Sequence, residues 1–239
     1  MTFSKITNID PTIPSSYNDS IFLSFDFDWC HDLVLQDSIE LVNKYNVEAT
    51  WFVTHNTRLL SNLLKNEKFE LGIHPNFNKL LQNSNNQEKN IKDVFDKFLN
   101  LVPDSKVLRS HSLVQSSHIL QEAVNRNFTH DCNDIIPHWN KITLKPWIHP
   151  SGLYKCPHFW EDDVNYVSND KTSITYLMQK KGLKIFDFHP IHIYLNTNDL
   201  DLYEQTRRYH NNPIELLKYR FNGYGVRNQL IEILELSDN

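Results

Sequence analysis

The chain has 239 residues, 40% of them apolar, with a formal net charge of -5 and a pI near 6.2. That apolar content suffices for one sizeable core, and a single domain of this length is ordinary for an α/β barrel. The acidic balance excludes an electrostatic footprint for nucleic acid, and no apolar run approaches the ~18 residues of a membrane span.

Residues 1–18 are polar and carry Pro11 and Pro14, which reads as an N-terminal arm with little regular structure ahead of a domain over 19–239. Residues 1–8 lack a basic stretch followed by an apolar one, so no secretory signal is expected. Cys30, Cys132 and Cys156 are an odd, widely spaced set without a CxxC pair. Free thiols in a reducing, cytoplasmic compartment are expected, although a mature chain stripped of its leader would look the same. With five glycines and no GxGxxG, Gly-rich phosphate loops are not indicated.

From residue 20 onward, short apolar runs alternate with amphipathic stretches. The patterns predict strands at 21–27, 49–53, 69–73, 106–110, 128–129, 153–154 and 184–189. They predict helices at 34–45, 57–64, 91–101, 117–127, 172–181 and 226–236, with Ser116 or Ser117 capping the helix at 117–127. The Asn-rich stretch 82–90 reads as a surface loop. This alternation, with no break in composition, predicts one parallel α/β domain, a distorted (β/α) barrel of about seven strands.

Chemistry-bearing residues gather at the ends of these strands. In Phe25-Asp26-Phe27-Asp28-Trp29, alternation predicts that Asp26 and Asp28 face the same side. There one carboxylate can bind a metal and its neighbour act as a base. Against this stands a plain turn in which Asp28 caps the next helix. In Glu70-Leu71-Gly72-Ile73-His74-Pro75, His74 follows a strand and is steadied by Pro75. A lone histidine there is commonly structural; together with Asp28 it forms a ligand pair that suits zinc or a similar divalent ion. Arg109, in Leu108-Arg109-Ser110-His111, could hold a catalytic carboxylate. His189, in Phe186-Asp187-Phe188-His189-Pro190-Ile191-His192, sits where a general acid could reach a leaving group, or else is a packed histidine bonded to backbone. In Trp160-Glu161-Asp162-Asp163, the aromatic and the acids could stack on a sugar or orient His189, with a core position for Trp160 as the other reading.

In this order the segments resemble the polysaccharide deacetylases, the NodB-homology domains of carbohydrate esterase family 4. Asp26-Phe27-Asp28 resembles their first motif, Ala49-Thr50-Trp51-Phe52-Val53 their Ala-Thr-Phe-Phe-Val strand, Glu70 to His74 their Glu-Ile-Gly-x-His segment, Arg109 their third-motif arginine, and residues 185–189 the last motif that supplies a histidine. The similarity spans roughly residues 20–236, and the His-Pro-Asn-Phe and Phe-His-Pro-Ile-His forms are most similar to a WbmS-like branch linked to O-antigen or surface-polysaccharide synthesis. The resemblance implies one divalent metal, with zinc the first expectation. It casts Asp26 as general base, Asp28 and His74 as metal ligands, Arg109 as the partner of Asp26 and His189 as general acid. Trp160, Asp162 and His192 become candidates for contact with substrate.

Two departures stand out. The family's second motif is His-x-x-x-His, but here its second position is Asn78, a neutral and weaker ligand; His111 occupies the place of the third-motif proline. The metal site is therefore completed by a relocated histidine (His111 first, His192 second), completed by Asn78 itself, or lost. The implied function is removal of an N-acetyl or related acyl group from a nucleotide-linked, lipid-linked or oligosaccharide sugar in surface-glycan assembly. The alternatives are an inert sugar-binding or scaffolding member of such a complex, and a hydrolase of another C–N amide bond, as in allantoinase-like enzymes.

Overall fold

Apolar runs such as 21–23 and 185–186 cannot lie on a half-solvated sheet; both of their faces need cover, which a parallel sheet with helices outside provides. The computed structural model, which describes residues 2–81, 88–168 and 170–235, has this architecture. Its strands are β1 (Thr2–Phe3), β2 (Ser20–Asp26), β3 (Ala49–Val53), β4 (Phe69–Ile73), β5 (Val107–Leu108), β6 (His130–Asp131), β7 (Trp147–Ile148), β8 (Tyr154–Lys155), β9 (Trp160–Glu161) and β10 (Ile185–Phe188). The helices are α1 (Asp32–Lys44), α2 (Leu60–Lys65), α3 (Asn78–Leu81), α4 (Ile91–Leu101), α5 (Ser117–Asn125), α6 (Asp162–Val167), α7 (Ile174–Met178), α8 (Pro190–Leu195), α9 (Leu200–Thr206), α10 (Pro213–Leu217) and α11 (Val226–Leu234).

The strands run β7-β8-β6-β5-β4-β3-β2-β10-β9, with β1 beside β2, and every pairing is parallel except β7 with β8. β8 and β9 are two halves of one extended stretch. The first half lies against β6 and the chain beyond it, through the bridge of Ile135 to His158 and the bond from Ile136 N–H to His158 O (3.0 Å); the second lies against β10. The sheet thereby curls round on itself into a distorted barrel whose staves are β2, β3, β4, β5, β6, the β8–β9 stretch and β10. Along β2, β3 and β10 every residue is buried.

The long elements match their sequence patterns within a few residues, and Ser116 caps α5 by accepting from Ile119 N–H at 3.3 Å. The strand expected at 128–129 lies two residues later, at β6. β1, β7, β9, α3, α6 and α8 to α10 were not predicted: two-residue strands and helices of one or two turns show too little of their period to read. Of the loop expected at 82–90, residues 82–87 lie outside the described residues. The stretch expected as an irregular arm contributes β1 and two short 3-10 turns, and buries Ile6, Ile9 and Tyr17. Glu70, part of the second motif, serves this closure: its carboxylate accepts from Thr7 N–H (3.3 Å) and Thr50 Oγ1 (2.7 Å), tying the arm across the N-terminal end of the barrel. The three cysteines are free and buried, and no helix among the described residues is long and apolar enough to cross a membrane.

Gly72 of the same motif has a packing reason. It sits opposite Phe52 in the β3–β4 register, and a Cβ there would come within 2.6 Å of the Phe52 ring. That ring carries the Arg109 guanidinium 4.4 Å above its centroid, so the missing side chain makes room for the floor under Arg109. Gly72→Ala is expected to cost about 1–3 kcal/mol through overpacking, read as a lowered midpoint in chemical denaturation. An unchanged midpoint would show that Phe52 can move aside freely.

Candidate active site

The residues singled out in the sequence come from different strands and meet at one end of the barrel. Asp26 closes β2, His74 follows β4, Arg109 follows β5, Asp162 follows β9 and His189 follows β10, so all lie at the C-terminal ends of parallel strands. Such ends open into the connecting loops, where function concentrates in β/α barrels.

Asp26 and Asp28 both reach His74, one at each ring nitrogen. Asp26 Oδ2 lies 3.3 Å from Nδ1, and Asp28 Oδ1 lies 3.3 Å from Nε2. The strand pleat alone does not produce this, because β2 ends at Asp26 and Asp28 and Trp29 adopt left-handed backbone (φ 42° and 55°). Asp28 is not the cap of α1. His31 has that role, its Nδ1 accepting from Leu33 N–H at 3.1 Å. His111 stands on a second loop with left-handed residues, Ser112 and Leu113, and its N–H donates to Pro75 O at 2.9 Å, which draws this loop against the one bearing His74.

Three donor atoms converge there. His111 Nδ1 lies 3.3 Å from Asp28 Oδ1 and 3.4 Å from His74 Nε2, while His74 Nε2 and Asp28 Oδ1 are the 3.3 Å pair above. Ligands held about 2.0–2.1 Å from a tetrahedral zinc stand roughly 3.3–3.4 Å apart, so all three edges fit such an ion. Asp28 Oδ1 is buried and meets no donor in hydrogen-bonding geometry, as expected of an atom whose partner would be a cation. Asp28, His74 and His111 could therefore hold a metal. Burial pushes the Asp28 carboxyl upward, but His111, His74 and the charge on His189 outweigh it and hold it well below the usual carboxylate range. For His74, burial pulls the pKa down while Asp26 and Asp28 raise it further.

Beside the triad lies a buried charge network. Arg109 Nη1 donates to Asp26 Oδ1 at 2.9 Å and also to Asp187 Oδ1, while Nη2 donates to Ser24 Oγ at 3.1 Å. Ser24 Oγ in turn donates to Asp187 Oδ1 at 2.6 Å. Arg109, Asp26 and Asp187 are 1%, 3% and 0% exposed. Burial pushes the Asp187 carboxyl up to about 7, against the pull of Arg109. On the other side, Asp162 grips His189 twice: Oδ1 takes the ring Nδ1 at 2.7 Å and Oδ2 accepts the backbone N–H at 2.8 Å. This leaves Nε2 facing the triad, 3.7 Å from Asp28 Oδ2. Burial lowers the His189 pKa, but Asp162 and then Asp28 more than compensate, and the ring is held well above its ordinary value.

Trp160 and His192 lie further out. Trp160 is buried against Phe186 and Phe188, ring centroids 5.9 and 4.9 Å apart. His192 is buried between His189 and Tyr203 and bonded through Nδ1 to Thr197 Oγ1 at 3.1 Å. Asn78 is half-buried at the start of α3, where its N–H donates to Asn76 Oδ1 at 3.0 Å. Ser24 and Asp187 were not anticipated. Asp187 alternates with apolar residues in a strand pattern that places it in the interior, and a buried aspartate is the signal that could have marked it.

A family model described as WbmS-like polysaccharide deacetylase matches residues 23–207. The chain belongs to the WbmS-like polysaccharide deacetylase family. A crystal structure from Bordetella bronchiseptica, described as a candidate polysaccharide deacetylase involved in O-antigen biosynthesis, superposes with a TM-score of 0.92 at 40% identity over 99% of this chain and 98% of that one. Two more distant structures are a CE4 family pseudoenzyme from Bacillus anthracis (14% identity, TM-score 0.48, 89% and 64% covered) and a candidate polysaccharide deacetylase from Mycobacterium smegmatis (13%, 0.48, 72% and 77%). No curated protein matches the sequence. In this WbmS-like chain, the third donor stands at the position where the family's usual third motif carries proline.

Proposed function

We propose that this protein is a divalent-metal-dependent hydrolase that removes an N-acetyl or related acyl group from a sugar during surface-glycan assembly. The observation that carries the reading is the set of three matched 3.3–3.4 Å edges among Asp28, His74 and His111. Under this reading His111 replaces the histidine missing at position 78, which removes the main motive for an inert sugar-binding protein. Bound there, a zinc-like ion supplies a Lewis acid that polarises an acyl carbonyl and lowers the pKa of water.

The chain's own groups do the rest. Arg109 Nη1 bonds one oxygen of Asp26 and His74 Nδ1 stands 3.3 Å from the other, which places this carboxylate at the site as general base, ready to accept a proton from an attacking water. Asp162 fixes the tautomer and charge of His189, so that its Nε2–H is presented to the departing nitrogen. The Bordetella relative is described as involved in O-antigen biosynthesis; this reading places the chain in assembly of a similar glycan, acting in the cytoplasm, where its three free cysteines fit a reducing compartment, on a nucleotide-linked, lipid-linked or oligosaccharide substrate.

The test is acetate release from N-acetylated sugar precursors with zinc or cobalt added, alongside metal analysis. About one ion per chain is expected in the wild type, lost in Asp28→Ala, His74→Ala and His111→Ala but kept in Asn78→Ala. A folded protein that releases no acetate with any metal sinks the enzyme reading. Loss of the ion in Asn78→Ala, with retention in His111→Ala, would move the third ligand.

A further inference from the structure

We propose that Trp29 is the platform on which a pyranose ring of the substrate stacks beside the catalytic centre. This rests on the site being one for sugars. Trp29 directly follows the ligand candidate Asp28 and is 43% exposed, whereas Trp51 and Trp160 in the core are 0% and 2% exposed. Its indole stands edge-to-face with the His111 imidazole, centroids 4.9 Å apart at 82°, so the exposed ring borders the three-donor set directly.

The backbone makes this placement costly. Trp29 has φ 55° next to Asp28 at 42°, a left-handed pair of non-glycine residues, each costing about 1–2 kcal/mol. Bonds from Trp29 N–H to Thr54 Oγ1 (3.1 Å) and from Cys30 N–H to Phe27 O (3.0 Å) hold the turn. Glycine would adopt the same turn without strain. The chain instead carries its largest side chain there, half in water, where burial returns little. A flat aromatic surface suits the C–H face of a pyranose, which is apolar while its rim carries hydroxyls.

The experiment titrates N-acetylglucosamine, N-acetylgalactosamine and the β1,4-linked N-acetylglucosamine trimer into wild type, Trp29→Ala and Trp29→Phe, by calorimetry and tryptophan emission. Trp29→Ala is expected to weaken binding about 10-fold or more, Trp29→Phe about threefold or less, with metal content unchanged. Wild-type emission is expected to shift on binding, and the shift to vanish in both variants. Binding that is equal in Trp29→Ala, or absent from the wild type for the whole panel, overturns the assignment. Binding needs no turnover, so the two readings fail separately. A protein that binds through Trp29 but releases no acetate keeps the platform and loses the deacetylase; one that turns over with an unchanged KM in Trp29→Ala does the reverse.

Discussion

Replacing His189 by alanine is expected to lower kcat by about 10²–10⁴-fold, the usual worth of a positioned general acid, with the metal retained. His189 is 7% exposed and held at both its ring Nδ1 and its backbone N–H by Asp162, a residue fully buried at the start of α6. The fold tolerates the loss, because Asp162 keeps the bonds from the backbone N–H groups of residue 189 and of Asp163 (2.8 and 2.9 Å). Asp162→Asn separates charge from shape. An amide fills the same space but withdraws the negative charge that keeps His189 protonated, so the ring's pKa falls. Activity that needs the protonated ring then fails at a lower pH, and the alkaline limb of the kcat profile shifts down by about one unit or more. A limb that stays in place in Asp162→Asn, or a kcat within about threefold of wild type in His189→Ala, would remove His189 from the chemistry.

Arg109→Met is expected to give the largest loss of stability. The guanidinium is the shared counter-charge of two buried carboxylates, Asp26 and Asp187, and it also bonds Ser24 and lies over Phe52. Breaking a buried ion pair by deleting one partner costs about 3–5 kcal/mol, because the other charge is left uncompensated. For a domain of this size that is a fall in Tm of roughly 6–20 °C. The double variant Arg109→Met, Asp187→Asn is expected to recover part of this, since one of the stranded carboxylates is gone. A double variant as unstable as the sum of the two singles would show that Asp187 and Arg109 do not act as a unit. Asp26 makes the same network a link to function: the bond that holds it for proton transfer comes from the group that balances the interior charge.

How far the sequence carried differs from residue to residue. Its apolar runs and helical periods were enough for the parallel barrel, because β2, β3, β4 and β10 are long and covered on both faces, and burial imposes its period on the sequence directly. The order of Asp26, His74, Arg109 and His189 at strand ends was legible for the same reason, as was the N-terminal cap of α5. Tertiary structure alone decided the rest. That His111 lies against Asp28 and His74 depends on two left-handed turns and one bond to Pro75 O, which bring loops 37 residues apart into contact. No local pattern encodes such a meeting. Likewise, Asp187 is only an acid among phenylalanines until β10 is laid beside β2 and its carboxylate meets Ser24 and Arg109. Periodicity reports which residues face inward; which inward-facing charges share one cavity follows only from how the strands are ordered around it.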